Sequence, residues 1–161
     1  MKVEQSIWTE ARGWQGGAAL AGGQLVLAFG SVASVTDAGC WQELRRKYPN
    51  ALLLACSTGG EIHGASVVDD SFCATAFDFA RTDIAGAVVD VCEDSFAAGK
   101  NLSFLLARDV RTALFVLADG TRANGSELVR GMRAVLGDEI VITGGLAGDG
   151  SRFGTTFVGL D

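Results

Sequence analysis

The sequence predicts an α/β fold: a mixed β-sheet with parallel βαβ crossovers and one antiparallel hairpin, with helices packed on the sheet. Three observations carry that expectation. Short apolar runs recur along the chain, stretches of helical periodicity separate them, and much of the glycine follows the runs in clusters. With 22 glycines and one proline in 161 residues, those clusters read as sharp turns that pass the chain from strand toward helix.

From the N-terminus, residues 3–8 suit a strand and residues 10–21 a weak, glycine-interrupted helix. Residues 24–30 (QLVLAFG), 51–56 (ALLLAC), 112–118 (TALFVLA) and 139–143 (EIVIT) are apolar on both faces, as strands covered on both sides must be. Asp37 caps a helix that turns Trp41, Leu44 and Tyr48 to one side, and Pro49 marks its end. Residues 71–80 and 83–92 are two extended runs joined by Arg81-Thr82 alone, too short a link for a parallel crossover, so they predict the antiparallel hairpin. Asp94 caps a further helix with Ala98, Leu102 and Leu105 on one face. Asn124 and Glu127 form a capping-box analogue ahead of Leu128, Met132, Val135 and Leu136, with Gly137 as the C-terminal stop.

The length suits a single domain over residues 1–161. A formal charge of −6 leaves no cationic excess for a nucleic-acid backbone or an anionic lipid surface, and no apolar run is long enough to span a bilayer. The first 14 residues include Glu4 and Glu10 and lack the apolar centre of a secretory signal, so the expected setting is cytoplasmic. Cys40, Cys56, Cys73 and Cys92 show no C-x-x-C pair and read as reduced thiols; Cys40, Cys73 and Cys92 read as packing residues.

Chemistry is expected in three loops: residues 56–64 (CSTGGEIHG), 119–125 (DGTRANG) and 144–150 (GGLAGDG). If their parent strands run parallel, the loops emerge at one carboxyl edge and line one pocket. They bring Ser57, Thr58, Glu61, His63, Asp119, Asn124 and Asp149, together with glycine N–H groups, which suits a small polar ligand. Each loop alone is explained as a tight turn, and Asn124 as a helix cap. Neither nucleotide-binding glycine signature occurs in them. Cys56 and His63 allow a thiol–imidazole pair, although a buried, inert cysteine is the commoner fate. His63, the only histidine, has no partner at zinc-ligand spacing but could serve as a single haem ligand. The Asp69-Asp70 and Asp138-Glu139 pairs read as element ends.

Three linked motifs resemble the N-terminal FIST domain: Ala55-Cys-Ser-Thr-Gly-Gly-Glu-Ile62 after an apolar strand, Leu117-Ala-Asp-Gly120 with Asn124-Gly-Ser-Glu-Leu128, and Gly144-Gly-Leu-Ala-Gly-Asp149. They occur in the family's order, and the resemblance runs from about Gln24 to the end. It implies a sensory input domain of a bacterial signalling protein that binds a small ligand such as an amino acid. It also implies a C-terminal FIST partner domain, which the sequence does not include, and an output protein such as a histidine kinase or cyclic-di-GMP enzyme. The matched motif positions make Cys56, Ser57, Thr58, Glu61, Asp119, Asn124, Gly145 and Asp149 the expected pocket residues, none of them catalytic. Some relatives are haem-based nitric-oxide sensors, which would make His63 the iron ligand; a Cys56-dependent enzyme is the third reading.

Overall fold

Strong β-formers and a short glycine turn dominate the start of the chain in this computed structural model, which describes residues 1–91, 93–106 and 113–161. The elements in chain order are β1 (Lys2–Thr9), β2 (Gly13–Gly16), β3 (Leu25–Gly30), α1 (Val32–Thr36), α2 (Ala38–Lys47), β4 (Leu52–Ser57), β5 (Glu61–His63), β6 (Ser66–Val68), β7 (Ser71–Asp78), α3 (Ser95–Leu106), β8 (Ala113–Ala118), α4 (Gly125–Leu136), β9 (Val141–Leu146) and β10 (Val158–Leu160). They fall into two compact units, Met1–Ile84 with Gly148–Asp161, and Ala85–Ala147.

The first unit holds a six-stranded sheet in the order β10-β4-β3-β7-β1-β2. Only β3 and β4 are parallel; the other pairings are antiparallel. The chain passes from β3 to β4 through α1 and α2, which makes a βαβ crossover. Alternation along the strands turns Val26, Ala28, Leu53, Ala55, Phe72, Ala74 and Ala76 toward the helices, where Val35, Cys40, Leu44 and Tyr48 complete the core. Phe72 meets Trp14 and Trp41 in tilted contacts, with ring centroids 5.7 and 5.9 Å away. The Asp37 carboxylate accepts from the Cys40 N–H at 2.8 Å, so the predicted cap of α2 is present. The β5–β6 hairpin is pinned to the sheet through Gln5, which accepts from the Gly64 N–H and donates to the Ile62 carbonyl.

The second unit pairs β8 with β9 in parallel, again through a helix, α4. Its core joins Ala98, Leu102 and Leu106 of α3 to Leu114 and Ala118 of β8 and Leu128 and Met132 of α4. Asn124 caps α4 by accepting from the Glu127 N–H at 3.2 Å, and Gly137 ends it with φ of 75°.

Mixed topology, parallel crossovers and antiparallel hairpins are therefore all present, but some expected elements differ. The predicted pairing of 71–80 with 83–92 does not form among the described residues. β7 instead pairs with β1 and β3, while residues 82–91 join no ladder. Cys92 and residues 107–112, including the first residue of the third apolar run, lie outside the described residues. The expected helix over 10–21 is a turn and the short strand β2, because Gly13 at φ 63° closes a hairpin that sets Trp14 opposite Trp8. Leu105 is exposed, and Leu106 takes the inward place on α3. The fourth run is shifted: β9 starts at Val141 and extends through Leu146.

Candidate functional site

Six of the expected site residues lie in the first unit. Cys56 and Ser57 end β4 rather than starting a loop, and Glu61 and His63 belong to β5, so the expected loop over 56–64 reduces to the turn at residues 58–60. Ser57 is fully buried. Its Oγ accepts from the Phe157 N–H at 3.0 Å, and its carbonyl accepts from the Gly148 N–H at 2.9 Å. The next N–H, of Thr58, donates to the Gly30 carbonyl at the end of β3. The turn thus sits at the carboxyl end of the parallel pair β3–β4, where α/β sheets present their ligands. It meets the segment after Gly148 so closely that a Cβ on Gly59 would stand 3.0 Å from the Gly150 Cα.

Glu61 is 1% exposed. Thr58 Oγ1 donates to its Oε1 at 2.7 Å, while Ser71 donates to Oε2 from its hydroxyl at 2.8 Å and its backbone N–H at 3.3 Å. A buried carboxylate with no ion pair among the described residues is retained by such donors. Asp149 is similarly engaged: Oδ1 accepts from Arg152 Nε at 2.8 Å, and Oδ2 from the N–H groups of Gly154 and Thr155. The hydrogen bond from Arg152 is the main cause that lowers its pKa below the usual 3.8. These carboxylates bind the loops together, and their acceptor capacity is largely spent on the scaffold.

Cys56 is buried, and burial pushes its thiol up to about 11, which opposes the thiolate that nucleophilic chemistry needs near neutrality. Cys40 and Cys73 are buried free thiols as well, raised to about 12 and about 11 chiefly by the same desolvation. His63 is half-buried at the end of β5, opposite Ser66. Its cross-strand partner Ser66 is exposed, and Ile62 and Val67 fall on the other face of the hairpin. An axial haem ligand needs an apolar slot over its imidazole, and the residue that faces His63 across the hairpin is the small, polar Ser66. An exposed serine opposite the imidazole does not fit a haem's apolar slot. No group of three or more His, Cys, Asp or Glu is placed to hold a metal ion among the described residues.

Asp119, Asn124 and Gly145 lie in the second unit. Asp119 Oδ1 accepts from the backbone N–H and hydroxyl of Thr121, which folds the turn after β8. Asn124 caps α4, and its N–H donates to Ser95 Oγ at 2.9 Å. Gly144 and Gly145 are ladder residues of β9, opposite Val116 and Leu117, rather than part of a loop. Gly144 is required there, because at φ 145° a Cβ would overlap the Val116 carbonyl. Between the carboxyl ends of β8 and β9 and the first turns of α4 lies an open cleft of about 350 Å³. Gly145 lines it with Gly125 and Gly144, but Asp119 and Asn124 do not.

Several residues that shape these places carried little sequence signal. Ser71 reaches Glu61 from ten residues away, and Val129 lines the cleft from outside the predicted stripe of Leu128, Met132, Val135 and Leu136. Arg152 follows Asp149 across a tight turn closed by its own N–H on the Asp149 carbonyl, a local spacing that could have suggested the pair.

Two βαβ crossovers, glycine turns at the carboxyl ends of parallel strands and polar side chains spent on holding those turns define an α/β module organised around its strand ends. The FIST N domain model matches residues 24–161, and the chain belongs to that family. The family is one of sensory, signal-transduction domains and not a known class of enzymes. No curated protein and no solved structure matches the chain significantly.

Proposed function

We propose that this chain is a ligand-sensing input domain of a bacterial signalling protein and that it binds a small polar molecule such as an amino acid. The observation that carries the reading is the cleft between β8, β9 and the start of α4, where Gly125, Gly144 and Gly145 leave backbone accessible at the carboxyl ends of a parallel strand pair. Its volume of about 350 Å³ is at the small-molecule end of the usual range, roughly 300–1,000 Å³. Sensing follows if the ligand favours one of two protein states, whose difference is passed to a C-terminal FIST domain, a histidine kinase or a cyclic-di-GMP enzyme. Such a role suits the cytoplasm.

The test is a thermal-shift screen of the chain against amino acids and small carboxylic acids. A ligand present at about 100 times its dissociation constant adds about 2.7 kcal/mol to stability, a clear rise in the unfolding midpoint. A midpoint unmoved by every member of both classes would sink the proposal.

A further inference from the structure

The cleft's chemistry narrows its ligand further than the fold does. Val116, Ala118, Leu128, Val129, Ile142 and Leu146 supply its side-chain walls, and no lining residue is ionisable. Thr143 contributes the one polar side chain. A polar side chain laid along those walls meets no charged partner and little beyond the Thr143 hydroxyl and glycine backbone to replace its water, whereas a branched aliphatic group removes apolar surface from water. The volume is that of a small molecule and too small for a helix or a strand pair.

We infer that the cleft takes an aliphatic side chain, so that the sensed molecules are amino acids or small acids with branched aliphatic bodies, and polar molecules of the same shape are rejected. The polar end of the ligand stays at the mouth, beside the backbone of Gly125 and Gly145. This inference rests on the ligand-sensing reading and specifies its ligand class.

L-Leucine and L-asparagine separate the two claims, since their side chains have nearly the same shape and opposite polarity. Calorimetric titration of the chain is expected to show leucine binding with asparagine about tenfold or more weaker, the loss that follows from burying an unpartnered amide. In Val129→Trp the indole fills the cleft from a helix position that is 38% exposed, and leucine binding should fall by a similar factor while the circular dichroism spectrum is kept. Leu146→Asp, at a position 50% exposed, is the second variant and puts a charge at the cleft wall with the same expected loss. Asparagine binding as tightly as leucine would overturn the inference and leave ligand sensing intact. Leucine binding unchanged in a folded variant of either kind would remove the cleft from the role. If neither amino acid binds and the wider screen is silent, the sensing reading itself fails.

Discussion

Asp149 shows how a residue chosen from sequence as a ligand contact can serve the scaffold. Its two oxygens accept from Arg152, Gly154 and Thr155, and so hold the turn that leads into β10. Its folded pKa lies below the ordinary 3.8, mainly because of the Arg152 hydrogen bond. The ionised group therefore contributes stability that is fully present above the unfolded value and fades as acid titration passes through the folded one. The unfolding midpoint of the chain should consequently fall as pH drops below about 4, and Asp149→Asn should flatten that part of the profile while lowering stability at neutral pH. An acid limb identical in the two proteins would show that the carboxylate has no such role. Glu61 makes the same point without titration, because three donated hydrogen bonds occupy it. The sequence marked both as polar residues in glycine loops. It could not show that their partners, Ser71 above all, are brought in by β7.

Among the elements, helix caps were the most legible features, since a cap is a contact within three residues. Asp37, Asn124 and Gly137 all stand where local chemistry puts them. Strand partners were less so. Residues 83–91 do alternate, with Ala87, Val89 and Val91 packed on the second core, but period two identifies a buried face and says nothing about which strand lies alongside. The pairing of α3 with α4 was invisible for a different reason: it depends on what is missing from Gly99 and Gly131. A Cβ on Gly99 would overlap the Leu128 carbonyl oxygen, and one on Gly131 the Phe96 carbonyl oxygen, so the two helices touch backbone to backbone. Alanine is intrinsically better than glycine in a helix by about 1 kcal/mol, but a carbonyl cannot swing aside as a side chain can. Gly99→Ala and Gly131→Ala are therefore each expected to lose about 1–3 kcal/mol net in denaturant titration. Gly125→Ala, whose Cβ would have its nearest neighbours in the Leu146 side chain at 3.7 Å or beyond, should be neutral or mildly stabilising. Equal effects at the three positions would refute the close-contact account.

At the scale of the whole chain, composition reported only a chain that folds, and the order of apolar runs and helical stretches reported the α/β class and its crossovers. The parallel pairs β3–β4 and β8–β9 each follow from a strand, an intervening helical stretch and a second strand. What the linear order did not reveal is that these pairs belong to separate sheets. The residues expected to share one pocket accordingly divide, with Ser57, Thr58, Glu61 and Asp149 in the first unit and Asp119, Asn124 and Gly145 in the second. Each unit has its own apolar cluster, and the clusters share no residue. Leu53 and Met132 are fully buried at their respective centres, so truncating either to alanine should cost about 2–5 kcal/mol. The two losses should differ in place. In amide hydrogen exchange under native conditions, Leu53→Ala is expected to speed exchange in β3, β4 and β7, and Met132→Ala in α3, α4 and β8, because protection follows the cooperative unit whose contacts are removed. If Met132→Ala deprotected the six-stranded sheet as strongly as its own helices, the two clusters would be acting as one core, and the division of the chain into two compact units would carry no energetic meaning.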